Sequence, residues 1–202
     1  MNGRLPIIGV VLAGGRSSRM GCDKASLPWR GSTLLLHAKS QLIAAGASVV
    51  YLSGSFREDW EGALLPDMYP SGGPAAALAS ILLGIHDTFV KSSPSPVLLV
   101  VPVDMPLLTG DTLQEIIQAL GDADCAHYEN APLPLAIRLN KNVQQYASRL
   151  VSEEEGAVSF SMKRLLEPLQ SHILAVGDQA KIALRNINTP EEWEKLNHES
   201  AS

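Results

Sequence analysis

The chain has 202 residues, 46 % hydrophobic and 18 % charged. That is enough apolar material for one core and too little charge for a disordered chain. A net charge of −5 excludes the basic footprint of a nucleic-acid binder, and no apolar run approaches the ~20 residues of a membrane span. Cys22 and Cys125, the two cysteines, cannot build a disulfide framework or a four-ligand zinc site, and they fit a reducing cytoplasm.

In chain order, Ile7–Leu12 is a short β-branched apolar run, as are Ser48–Ser53 and Val97–Val101. None alternates polar with apolar, so each is expected as a strand buried on both faces. Helical patterns lie between them. Thr33–Ala45 places Leu35, Leu36, Ala38, Leu42, Ile43 and Ala45 around one broad face, with Gly46 as a stop signal. Pro74 opens Ala75–His86, and Asp111 is expected to cap Thr112–Leu120, which Gly121 ends. Asp124–Tyr128, Leu133–Leu139, His172–Val176 and Ile182–Ile187 are weaker strand candidates, separated by helical stretches Val143–Val151 and Phe160–Leu169. Thr189-Pro190-Glu191-Glu192 is a capping box that opens a last short helix, and His198–Ser202 is expected to fray. Strand alternating with helix predicts a single-domain α/β fold over residues 1–202, Rossmann-like, with a mostly parallel sheet and helices on both faces.

The first strand empties into Leu12–Lys24, LAGGRSSRMGCDK. Gly14, Gly15 and Gly21 allow a ligand to approach the backbone closely. A glycine-rich loop at the carboxyl end of the first strand is where an open α/β sheet holds phosphates, and Arg16, Arg19 and Lys24 add cations to it. Lys24 does not follow a glycine and Ala25 stands where Ser or Thr is needed, so this is not a Walker A loop; the glycine spacing does not fit GxGxxG either. An acidic feature faces it in the pattern. Asp104 follows strand Val97–Val101 between Pro102 and Pro106, at the same sheet edge if the strands are parallel, where a carboxylate can hold Mg²⁺ against a triphosphate. Asp67, before Ser71-Gly72-Gly73-Pro74, is either a turn former or a second ligand contact. Asn186 and Asn188 place two amides at a strand-to-helix junction. The five histidines have no metal spacing, and there is no GxSxG elbow.

Leu12–Lys24 closely resembles the LAGGxSxRMGxDK signature of the molybdenum cofactor guanylyltransferases, the MobA-like nucleotidyltransferases. VPVDMPLL resembles that family's strand-end Asp-x-Pro motif, Asp67 with Gly73-Pro74 its Asp…GP element, PLPLAIR its central strand on the pterin side, and NINTPEE its Asn-x-Asn-Thr-Pro element. The resemblance implies transfer of the guanylyl part of GTP to the phosphate of molybdopterin with release of pyrophosphate. It implies GTP and molybdopterin as substrates, with transient contact with cofactor-biosynthesis or acceptor proteins. Carried onto matching positions, Leu12, Ala13 and Gly14 contact the nucleotide through the backbone, and Gly15 and Asp67 also contact the nucleotide. Lys24 and Arg19 bind phosphates, Asp104 holds Mg²⁺, and Asn186 and Asn188 lie near the acceptor phosphate. Three departures stand out: Ser53 where the family often has Asn, Ala77 where it usually has Gly, and Glu153–Met162, which matches poorly. They bear on base preference and acceptor identity. CMP transfer to molybdopterin, nucleotidyl transfer to a sugar or alditol phosphate, and a non-catalytic nucleotide-binding accessory role are the alternatives.

Overall fold

The computed structural model describes residues 6–14, 23–69, 72–85, 95–153 and 161–200. Nine strands and seven α-helices are found among them. The strands are β1 (Ile7–Leu12), β2 (Pro28–Trp29), β3 (Ser32–Thr33), β4 (Val49–Ser53), β5 (Ala63–Leu65), β6 (Val97–Pro102), β7 (Cys125–Tyr128), β8 (Ala131–Arg138) and β9 (Ser171–Leu174). The helices are α1 (Leu34–Ala44), α2 (Gly73–Gly84), α3 (Gly110–Ala119), α4 (Lys141–Ser152), α5 (Met162–Leu166), α6 (Asp178–Ala183) and α7 (Pro190–Ser200).

Seven strands form one sheet in the order β5-β4-β1-β6-β8-β7-β9. β1 pairs in parallel with β4 and β6, and β4 with β5. β8 runs antiparallel to both β6 and β7, and β9 is parallel to β7. Only β8 therefore opposes the common direction among the described strands.

The sheet is covered on both sides because β1 and β6 are apolar at every position rather than at every second one. Ile7 and Val11 join a core with Leu35, Leu42, Leu113 and Ile116, from α1 and α3. Ile8, Val10 and Leu12 join the other core, with Leu78, Ile81, Val143 and Leu150, from α2 and α4. Val10, Val11 and Val97 to Val101 are fully buried, each such side chain stabilising the fold by about 1.5–3 kcal/mol relative to exposure.

Helix ends follow local chemistry. The Thr33 hydroxyl accepts from the Leu36 amide, and Gly46 takes a φ of +102° just past the helix. The Asn140 and Ser161 side chains cap α4 and α5. The capping box of α7 is reciprocal: Glu192 N–H donates to Thr189 Oγ1 at 3.3 Å, and Thr189 N–H to the Glu192 carboxylate at 3.2 Å.

Four expectations are corrected. Ile182–Ile187 is not a strand. Ala180 and Ala183, three apart, are buried while Ile182 is 61 % exposed, so the segment takes the helical period in α6 and then runs as an irregular arm. Asp111 does not cap α3, because Thr109 accepts from the Thr112 amide and Asp111 lies within the first turn. Pro74 is the second rather than the first residue of α2. The last helix continues through His198 to Ser200. β2, β3 and β5 were not anticipated.

Candidate functional site

Consecutive strands run outward from β1 to β4 to β5, and the chain then crosses back to β6 on the other side of β1. The order reverses between β1 and β6, and a crevice at the carboxyl ends of the strands is expected at such a point. A cleft of about 760 Å³ lies there. Its floor is formed by the ends of the parallel strands, Leu12, Ser53 and Pro102, and by the segments that follow them. Because β8 is antiparallel, its beginning reaches the same edge, and Ala131 and Leu133 line the far wall.

Lys24 is the centre of this site. It opens a single 3-10 turn, Lys24–Ser26, capped by Asp23, whose Oδ1 accepts from the Ala25 amide at 3.2 Å. The Lys24 Nζ donates to Asp104 Oδ2 at 3.1 Å and to Asn188 Oδ1 at 2.9 Å. An ammonium carries three donors, and among the described residues two of them are taken. The Lys24 and Asp104 side chains are 14 % and 24 % exposed, open to a ligand in the cleft yet partly withdrawn from water, where a charge interaction is stronger than at the surface.

The backbone fixes these groups from several directions. The Val103 amide donates to the Leu12 carbonyl at 3.1 Å, and the Ala13 amide to the Ser53 carbonyl at 3.1 Å. The Asp104 carbonyl accepts from the Ile187 amide at 2.9 Å. Gly54 has a φ of +135°, and a Cβ there would stand 3.2 Å from the Gly14 nitrogen. Glycine is required at 54 by both conformation and contact.

Asp67 follows β5 and also lines the cleft. Its Oδ1 accepts from the Tyr69 amide at 2.9 Å and from the Ser80 hydroxyl at 3.3 Å. Among the described residues no donor meets its Oδ2. The carbonyls of Leu12 and Ala13 already accept from Val103 N–H and from Arg57 Nη2, the latter at 3.3 Å. Asp67, Ser53 and Gly14 line the same cleft.

The structure thus brings together Leu12, Ala13, Gly14, Lys24, Asp67, Asp104 and Asn186 around one cleft, with Asn188 bonded to Lys24. Gly15 and Arg19, with Arg16, Gly21 and Cys22, lie outside the described residues. Sequence reasoning missed Asp23, Arg57 and Asn130. Asp23 carries a signal, since an Asp followed two and three positions later by an amide and Ser26 is a turn-capping pattern. Asn130 carries one too, sitting at a φ of +56° in the β7–β8 turn and lining the cleft. Arg57 carries none, being one charge within Arg57-Glu58-Asp59.

A metal has a restricted choice here. Among the described residues no group of three or more His, Cys, Asp or Glu converges. Asp104, at the end of β6 in the cleft, is a carboxylate that could hold a hard divalent cation. Among the described residues no helix is long and apolar enough to cross a membrane.

A family model described as a MobA-like NTP transferase domain matches residues 9–173. The chain is 40 % identical over 195 residues to a molybdenum cofactor guanylyltransferase from Xanthomonas euvesicatoria pv. vesicatoria, covering 96 % of each chain. Its fold is similar to a crystal structure of molybdopterin-guanine dinucleotide biosynthesis protein A from Archaeoglobus fulgidus, with a TM-score of 0.72, 16 % identity and coverage of 96 % of this chain and 98 % of that one. It is also similar to a Mycobacterium tuberculosis H37Rv protein crystallised as a complex with manganese, with a TM-score of 0.60, 20 % identity and coverage of 95 % and 97 %.

Proposed function

Since the chain belongs to the MobA-like NTP transferase family, we propose that it transfers GMP from GTP to the terminal phosphate of molybdopterin, releasing pyrophosphate and forming a guanine dinucleotide cofactor. The observation that carries this reading is the Lys24 amine, held between Asp104 and Asn188 in the cleft where β1 and β6 diverge.

An acceptor phosphate oxygen forms a bond to the α-phosphorus, and the bond from that phosphorus to the bridging oxygen breaks. The electron pair leaves with pyrophosphate. The attacking phosphate is already an anion, so no strong general base is needed, and positioning with charge neutralisation supplies the rate. That requirement fits a cleft with a lysine, an aspartate and amides rather than an activated nucleophile. Mg²⁺ bound at Asp104 would neutralise α-phosphate oxygens. Lys24, together with Arg19, draws charge toward the leaving pyrophosphate. The open end of β1 at Ala13 and Gly14 lets the nucleotide lie against backbone.

Asn186 and Asn188 sit on the acceptor side. The Ile187 amide bonded to the Asp104 carbonyl ties the asparagine segment to the loop that carries Asp104, which supports an acceptor phosphate held by the amides close to the nucleotide phosphates. Ala131, Pro132 and Leu133 offer an apolar wall to a flat pterin ring. Guanine presents N1–H and its exocyclic amine on one edge, and the Oδ2 of Asp67, which no donor meets among the described residues, is suited to accept from them; adenine and cytosine lack that pair. The reading places the enzyme in the cytoplasm, where nucleoside triphosphates are supplied, and its product passes to an acceptor protein.

Equilibrium titration of GTP, ATP and CTP under the same Mg²⁺ tests the base assignment. GTP should bind about tenfold more tightly or better, since acceptors built for a base edge are left unpaired by the wrong one. Equal affinities would mean that the base is not read here, and a CTP preference would move the protein to cytidylyl transfer.

A further inference from the structure

Arg57 takes no part in the chemistry described so far. It lies in the loop between β4 and β5, and its guanidinium reaches the Asp23 carboxylate with both terminal nitrogens, Nη1 to Oδ2 and Nη2 to Oδ1, the latter at 3.1 Å. The same Nη2 donates to the Ala13 carbonyl at 3.3 Å. The side chain is 16 % exposed, and its Nε is buried with no hydrogen-bond partner among the described residues. A buried unpaired N–H costs free energy, so the arrangement is not what stability alone would select.

The two groups that Arg57 joins stand on either side of the nucleotide segment. Ala13 is the first residue past β1, and its amide is held from the other side by the Ser53 carbonyl. Asp23 caps the turn that begins at Lys24, its Oδ1 accepting from the Ala25 amide and its Oδ2 from the Ser26 hydroxyl at 3.2 Å. One planar fork therefore ties the turn that carries Lys24 to the end of the central strand.

We propose that Arg57 is a positioning residue for Lys24, fixing its amine against the triphosphate by clamping the Asp23 cap to the Ala13 carbonyl. The inference rests on the nucleotidyl-transfer reading of the cleft. It requires arginine rather than any cation, because a lysine ammonium is a point charge that cannot reproduce the two-pronged pairing and the carbonyl contact together. The hydrogen bond from Arg57 also holds the Asp23 carboxyl below its ordinary range, as expected of a close charged pair.

The test uses the full-length protein with GTP, molybdopterin and Mg²⁺, comparing wild type, Arg57→Met, Arg57→Lys, Asp23→Asn and the double variant Asp23→Asn/Arg57→Met. Arg57→Met should lower kcat/KM for GTP by about 10- to 100-fold, the range of a lost charge-assisted bond, while KM for molybdopterin changes less than about twofold. Arg57→Lys should recover a small part of the loss. Added guanidinium at low, non-denaturing concentration should restore Arg57→Met but not Asp23→Asn. The double variant should be no worse than the more impaired single one, because both changes break one clamp.

A rise in KM for molybdopterin as large as the loss in kcat/KM for GTP, full recovery by lysine, additive single effects, or absence of guanidinium rescue in a folded Arg57→Met protein would each overturn the proposal. Should Arg57→Met fail to fold, Arg57→Lys decides alone: activity equal to wild type overturns the clamp, and a loss confined to kcat/KM for GTP supports it. Wild-type turnover separates the two ideas. Its absence would reject the functional reading itself, whereas an active wild type indifferent to Arg57 would reject only the positioning role.

Discussion

The amide of Ile187 donates to the carbonyl of Asp104 at 2.9 Å, joining the arm before the last helix to the loop that follows β6. On one side of this bond Asp104 receives the Lys24 amine, and on the other Asn188 receives it too. Ile187 is itself buried with Trp29, Leu34 and Leu196, so the arm is anchored in a small core of its own. Two regions far apart in the chain are thereby held as one wall of the cleft.

Replacing Asp104 by Asn should abolish Mg²⁺-dependent turnover while unfolding remains cooperative. The amide keeps the size and can still accept from Lys24, but it removes the charge a hard cation needs. Steady-state kinetics alongside urea denaturation checks this. A near-wild-type rate would show that Asp104 is not the metal carboxylate.

Lys24→Ala should weaken GTP binding by about 1.5–3 kcal/mol, the size of a hydrogen bond to a charged group. Calorimetric titration measures it. Unchanged affinity would return Lys24 to an ordinary structural partner of Asp104.

Gly54→Ala should destabilise the fold by about 1–3 kcal/mol, the cost of holding a side chain in a backbone region it avoids. The added methyl would also press on the Gly14 nitrogen, so nucleotide affinity should fall with stability. Denaturant unfolding and a GTP titration on the same variant read both. Wild-type stability would mean that the loop relaxes freely around position 54.

His37 gives a pH dependence whose sign follows from its surroundings. Burial, reinforced by the Arg30 charge, lowers its pKa below the ordinary value of 6.5, and its ring packs edge-on against Trp29 at 6.4 Å. The unfolded chain takes up a proton below 6.5 while the folded protein resists it. The stabilisation is full above that value and is lost as pH falls toward the lower folded pKa. Between about pH 7.5 and about pH 5, wild type should therefore lose more stability than His37→Gln. Parallel slopes in urea denaturation would contradict this.

The parallel centre of the sheet was legible because β1 and β6 are apolar at consecutive positions, a pattern only a doubly covered strand needs. β5 was not, since it has three residues with Leu64 partly exposed. The β2–β3 hairpin is short too, and its turn depends on Arg30 at a φ of +47° followed by Gly31 at +77°, with two-residue strands too short to show a period. Ile182–Ile187 misled through composition: its apolar residues suggested a strand, while the burial of Ala180 and Ala183 shows a helical face. In the cleft, Lys24 and Asp104 were visible because each follows a buried strand. Arg57 was not, because its partners Asp23 and Ala13 lie 34 and 44 positions away and meet it only through the fold.

The decisive measurement is pyrophosphate release from GTP in the presence of molybdopterin and Mg²⁺, with the product identified by mass. One pyrophosphate should be released per guanine dinucleotide formed, dependent on both substrates and lost in Asp104→Asn. Folded protein that binds GTP yet releases no pyrophosphate with molybdopterin, or that forms the cytosine dinucleotide faster from CTP, would contradict it.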